Sequence, residues 1–182
     1  MKVCREQVAE NRLRILEVAG ELFKAQGFDK VTVCDVMKAA GLTHGGFYGY
    51  FKSKDDLIAQ TITHLLSPAP PRGGLARIAE HYLSTDHCGN MKEGCPVAAL
   101  ATETLRQAPE ARAAMADGVR RRIEELARSL AGDDDRTARR EAIAGMSTMI
   151  GALILARLCD DPAMTREILE ETRTWLSDRE QG

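Results

Sequence analysis

Aromatic residues are scarce in this chain: four Phe, three Tyr and one Trp in 182 residues. A core with so few rings must be built mainly from aliphatic side chains and alanine. Nor is there a disulfide framework. The five cysteines, Cys4, Cys34, Cys88, Cys95 and Cys159, are odd in number and scattered, which suits reduced thiols in a cytoplasm. Net charge is only -2, with a pI near 6.1. Bulk attraction to nucleic acid is therefore excluded, and any affinity for DNA has to be local. Met1 to Asn11 is polar and lacks the apolar centre of a signal peptide. The longest apolar stretch, about Ala142 to Leu158, contains Ser147 and Thr148 and is flanked by arginines. It reads as a buried helix, too short and interrupted to span a bilayer comfortably. A cytoplasmic protein without membrane contact is the expectation. Enzyme motifs are missing too: no Gly-rich phosphate loop, no G-x-S-x-G and no H-E-x-x-H. Glu103 and Glu110 have nothing to pair with as acids. His81, His87, Cys88 and Cys95 match no closed zinc spacing. No catalysis, metal or cofactor is indicated.

What is present is helical periodicity nearly everywhere, with no convincing alternating strand. Ile15, Ala19, Leu22 and Phe23 form one stripe, and Gly27 follows as a helix stop. Thr32 is placed to cap a short helix with Asp35 in its first turn. Gly41 makes a turn, and Thr43 is placed to cap a second short helix of about Thr43 to Tyr50. Ser53 caps a fourth, with Leu57, Ile58, Thr61, Ile62 and Leu65 on one face. SPAPPRGG, residues 67 to 74, breaks helical structure. Further helices follow over about 75–84, 96–107, 109–130, 136–158 and 162–177, with DHCGNMKEG and GDDD as loops. The expectation is an all-α chain of about nine helices. Residues 1–53 would form an N-terminal domain and 54–182 a C-terminal one, with 54–67 as a linker helix.

The segment GLTHGGFYGYFKSK, residues 41 to 54, stands out. Phe47, Tyr48, Tyr50 and Phe51 are half of all the aromatics, placed in five residues directly after two glycines. Each glycine costs a helix roughly 1 kcal/mol relative to alanine. From Val36 to Lys54 there are three lysines and no acid. Two short helices joined at a glycine follow the helix-turn-helix pattern. Its second helix must enter a groove about 12 Å wide, so its start should be small or polar. Gly45 and Gly46 permit that approach, and Thr43 and His44 offer hydrogen bonds. The helix start also favours an anion. Phe47 and Phe51, four apart, anchor the short helix, while Tyr48 points outward. Lys52 and Lys54 lie beside the next helix start, a phosphate position.

Residues 5 to 60 resemble the N-terminal domain of TetR-family transcriptional regulators, through ILEVAGELFKAQGFDKVTVCDVMKAAGLTHGGFYGYFKSKDDL. The resemblance implies a homodimer that binds a short palindromic operator in double-stranded DNA, usually as a repressor. It also implies a C-terminal helical domain that senses a small molecule. It places DNA contacts on Thr32, Thr43, His44, Gly45, Tyr48 and Lys54, with Tyr50 where many members have His. The rival is a helical scaffold without specific DNA binding, which would not need an acid-free, glycine-opened helix.

In the C-terminal half, Ile150 and Leu153 sit among Gly145 and Gly151, and the last helix carries Ile168, Thr172, Trp175 and Leu176. These eight residues are the expected dimer interface, since small residues allow close helix approach and Trp suits interfaces. Cys88 in a loop and Cys95 at a helix start suggest a thiol switch answering an oxidant or electrophile, because a helix start favours a thiolate. The alternative is an organic effector in a cavity lined by Leu100, Glu103, Arg106, Met115, Met146 and Met149.

Overall fold

The computed structural model describes residues 5–67, 73–130 and 135–180. Cys4, most of the SPAPPRGG break and most of the GDDD loop lie outside these residues. Among the described residues the chain is all-helical. It has nine α-helices: α1 (Arg5–Gln26), α2 (Val33–Ala39), α3 (Lys54–Leu66), α4 (Leu75–Tyr82), α5 (Thr85–Gly89), α6 (Pro96–Thr104), α7 (Pro109–Leu130), α8 (Asp135–Leu158) and α9 (Pro162–Glu180). A 3₁₀ helix, His44–Gly49, lies between α2 and α3. The helix not expected from periodicity is α5. It is one turn inside the DHCGNMKEG segment, started by Ser84, whose Oγ accepts the His87 N–H at 3.1 Å.

The chain divides into two compact units, residues 1–68 with 99–118, and residues 69–98 with 119–182. In the first unit, α1 packs on α2 and α3, and α2 packs on the 3₁₀ helix. Its core collects most of the rings: Phe23, Phe28, Phe47 and Phe51 are each at most 2 % exposed. Burying one such side chain contributes about 1.5–3 kcal/mol. Around them lie Ile15, Ala19, Val36, Met37, Leu57, Ile58 and Ile62. The α3 helix, expected as a linker to the C-terminal half, groups with α1 because Leu57, Ile58, Ile62 and Leu66 bury its inner face. Residues 99–118 join the same unit. Gly118 of α7 leaves no room for a side chain against Leu66. In the second unit, α4, α5, α8 and α9 pack on one another around an aliphatic core that includes Ile78, Leu83, Leu126, Leu153, Leu169 and Leu176.

Candidate nucleic-acid interface and buried cavity

The N-terminal turns form where the residues dictate. The α1 helix ends with the Gly27 N–H on the Phe23 carbonyl at 2.8 Å, and Gly27 takes φ +83°. Thr32 caps α2 in a closed capping box. Its Oγ1 accepts the Asp35 N–H at 3.2 Å, while Asp35 Oδ2 accepts the Thr32 N–H at 2.9 Å and the Thr32 hydroxyl at 2.6 Å. These bonds, the side-chain one foremost, hold the Asp35 carboxyl below its ordinary value. The Thr32 hydroxyl hydrogen and N–H are thus both engaged inside the cap. Thr32 supports the motif in this way, besides the DNA contact expected of it.

Gly41, at φ +70°, makes the turn after α2. The following helix is 3₁₀, six residues long, and Thr43 starts it without a side-chain cap bond, contrary to the expected cap. Thr43, His44 and Gly45 are exposed. Phe47 and Phe51 stack with centroids 5.7 Å apart beneath this surface, and Tyr48 stands 74 % exposed above it. The Arg12 guanidinium lies 5.0 Å from the Phe51 ring centre and donates to Gln60 Oε1. Together these contacts pin α1 and α3 to the turn. Tyr50 is half-buried, and its hydroxyl accepts from Asn11 Nδ2 at 3.1 Å. That ties the end of the 3₁₀ helix to α1, a strut role for Tyr50 besides the DNA contact expected of it. The Lys52 N–H donates to Asp56 Oδ2 at 2.8 Å, which leaves the Lys52 side chain exposed. Lys54 opens α3 and is half-buried.

Gly45 is informative. A Cβ added there would meet nothing within 4 Å, and its φ is not positive. The fold therefore needs no glycine at this position.

The second unit holds a cavity of about 70 Å³. Its walls are Ile78, Val97, Leu126, Met146, Met149 and Ile150, and its polar groups come from Tyr82, Cys95 and Arg122. Of the effector candidates, Cys95, Met146 and Met149 are brought together here. The others are not. Cys88 is 7 % exposed and packs in the aliphatic core. Leu100 and Met115 are buried in the first unit. Glu103 accepts the Phe28 N–H at 2.8 Å and lies against Gly27, bracing the α1–α2 turn. Arg106 is exposed beside it. All four lie in the first unit and away from this cavity: Leu100 and Met115 are core, while Glu103 and Arg106 line a separate pocket beside Gly27. Ile150, expected at a dimer interface, lines the cavity instead. Tyr82 and Arg122 were not picked out from sequence. For Arg122 a signal existed: it falls in an apolar row of α7 with Gly118 and Leu126, at i and i+4 spacing.

The dimer set is also partly redirected. Leu153 and Leu176 are at most 2 % exposed inside the unit's own core, and Gly145 is covered by Leu75. What points outward is Ile143, Gly151, Leu155 and Leu158 on α8, and Met164 and Trp175 on α9. Trp175 is 46 % exposed with the Arg179 guanidinium 4.4 Å from its ring. Ile168 and Thr172 are half-buried. By length and composition α8 does meet the measure of a membrane span, with 24 residues and an 18-residue stretch of mean hydropathy 1.4. This revises the expectation that it is too short. Its inner face is nevertheless committed to α4, α5 and α9.

Comparison with known proteins agrees with this anatomy. Residues 15–61 match the family model of bacterial regulatory proteins of the tetR family, and residues 71–171 match the C-terminal domain model of LmrA/YxaF-like transcriptional regulators. Among curated relatives, the HTH-type transcriptional regulator AcrR of Shigella flexneri is 39 % identical over 56 residues, 31 % of this chain and 26 % of that protein. The match thus spans about a quarter of that relative's length. The reduced form of E. coli NemR aligns over 93 % of this chain and 96 % of its own, with TM-score 0.70 and 21 % identity. A TetR-family regulator from Cytophaga hutchinsonii covers 98 % of both chains, with TM-score 0.73 and 16 % identity. With a C-terminal model covering more than half of its length and a helix-turn-helix model ahead of it, the chain belongs to the TetR family of bacterial transcriptional regulators.

Proposed function

We propose that this regulator binds a palindromic operator as a homodimer in the cytoplasm, acts as a repressor, and is released by events at the cavity around Cys95. Residues 1–53 are the DNA-binding domain in this reading, with α3 as linker and the remainder sensing and dimerising. The carrying observation is the start of the 3₁₀ helix: exposed, free of acids, and glycine where the fold tolerates a side chain. Thr43, His44, Gly45 and Tyr48 face DNA, with the Lys52 and Lys54 ammonium groups on phosphates. Dimerisation uses the outward apolar residues of α8 and α9, which stay exposed among the described residues.

Release occurs when the cavity is filled, either by a small organic ligand or by a covalent adduct on Cys95. Both place new atoms in the same space, and Met146 and Met149 are flexible enough to accommodate them. The similarity to a regulator solved in a reduced form is in keeping with thiol chemistry here. Cys88 is too enclosed to take part. DNA release then reflects different affinities of two conformers for the operator.

The test is fluorescence anisotropy on DNA from upstream of the protein's own gene, beside random DNA at the same salt. Specific binding is expected to fall on treatment with a maleimide, and Cys95→Ser is expected to abolish that response while Cys88→Ser preserves it. Equal affinity for upstream and random DNA, at every regulated promoter tried, would count against the regulator's specific operator. A response kept in Cys95→Ser would remove the thiol arm and leave the ligand arm.

A further inference from the structure

The cavity in the second unit has a one-sided polar chemistry. Arg122 brings a guanidinium, which only donates hydrogen bonds and keeps its charge. Tyr82 brings a buried hydroxyl that has no nitrogen or oxygen partner and is set against the Cys95 thiol. No Asp or Glu contributes to the lining. A second guanidinium, Arg157, outside the lining, acts electrostatically on the same phenol. Arg157 is held in place by donating from Nε to the Cys88 carbonyl at 3.0 Å and from Nη2 to the His87 carbonyl at 3.1 Å. Its Nη1 is buried without a hydrogen-bond partner. The lining therefore presents a guanidinium and a phenol O–H and carries no carboxylate. Leaving a buried donor unsatisfied costs about 1–3 kcal/mol. A ligand that brought acceptor oxygens would relieve that cost. A cation would be repelled, and a pure hydrocarbon would leave the Tyr82 donor as it is.

The remaining wall is apolar, formed by aliphatic side chains and two methionines. The volume, about 70 Å³, has room for roughly five water-sized groups. That suits a short hydrocarbon carrying one small anionic group. A carboxylate matches a guanidinium through two parallel hydrogen bonds.

We propose that the cavity takes a small apolar carboxylic acid, with its carboxylate between Arg122 and the Tyr82 hydroxyl and its hydrocarbon body against Leu126, Met146 and Met149. This rests on the reading of the cavity as the effector site and names the class of effector.

The probes are isovalerate, its neutral isostere isovaleramide, and the cation isoamylamine, each titrated into the reduced full-length dimer by ligand-observed NMR. A second readout locates binding: protection of the Cys95 thiol from maleimide, followed by mass spectrometry of the Cys95 peptide. The expected result is isovalerate binding at least tenfold more tightly than isovaleramide, no detectable binding of isoamylamine, and protection of Cys95 in the same order. Arg122→Gln is expected to weaken isovalerate at least tenfold and to leave isovaleramide within about twofold. Tyr82→Phe should weaken isovalerate severalfold. The comparison of three probes on the wild type needs no variant, so a folding failure of Arg122→Gln does not blunt it. Isovaleramide binding as well as isovalerate, both shielding Cys95, would overturn the carboxylate and leave the effector cavity standing. No probe binding and no shielding of Cys95 would overturn the carboxylate and the effector cavity together.

Discussion

Replacing Gly45 by alanine should stabilise the protein and impair its DNA binding, and opposite signs of this kind separate an external role from an internal one. The added Cβ meets no atom within 4 Å, and the backbone there is not in the left-handed region. Alanine therefore fits without strain. Losing glycine's freedom in the unfolded chain stabilises the fold by about 0.4–1 kcal/mol. For a chain of this size that raises the melting temperature by roughly 1–4 °C. On DNA the same methyl stands at the first turn of the helix, where the backbone must approach base edges or a phosphate. Holding the backbone off by a methyl group should cost at least a tenfold loss of specific affinity, about 1.4 kcal/mol. The assay pairs thermal unfolding with anisotropy titrations on operator and random DNA at one salt concentration. If Gly45→Ala binds operator within twofold of wild type, the helix start does not make close contact and the glycine needs another explanation. If the melting temperature instead falls by several degrees, Gly45 serves the fold and the inference from its open surroundings is wrong.

Other consequences follow from the same geometry. Glu103→Ala leaves the Phe28 N–H without its acceptor, so it should cost about 1 kcal/mol of stability, read as a urea midpoint lowered by roughly half a molar. The Asp35 carboxyl is held below its ordinary value by its bonds to Thr32. Its contribution is thus complete above about pH 4 and lost as pH falls through the lowered folded value, and Asp35→Asn should flatten the acid limb of a stability-versus-pH profile. Leu158→Glu places a charge in the outward apolar face of α8 and should convert the proposed dimer to monomer in analytical ultracentrifugation, with helix content retained. Lys54→Ala should weaken operator and random DNA alike and reduce the salt slope by about one.

Much of the N-terminal unit was legible because its signals are local. A positive-φ glycine at 27 or 41, a Thr32–Asp35 box and a Ser53 cap are set by atoms a few residues apart. So the short helices and their turn follow from the chain itself. Aromatic spacing likewise foretold that Phe47 and Phe51 share a buried face. The same local logic failed where a residue has two plausible partners. Tyr50 reads only as a DNA contact until Asn11, 39 positions away, engages its hydroxyl. Glu103 reads as a cavity acid until Phe28 donates to it across 75 positions.

The C-terminal unit shows the limit most plainly. Periodicity shows that α8 is apolar over much of its surface, and it does not say which apolar face turns inward. Gly145 and Gly151 look alike in sequence. One lies beneath Leu75 and the other faces open space. The cavity is a product of tertiary structure alone, since Tyr82 of α4, Cys95 ahead of α6, Arg122 of α7 and Met149 of α8 meet only when four segments pack. By itself the sequence determined most of the helices, the Thr32 and Ser53 caps and the helix-turn-helix, because hydrogen bonds within a few residues decide those. The tertiary structure decided which side chains surround empty space and which point outward, because burial depends on contacts between residues that are far apart along the chain.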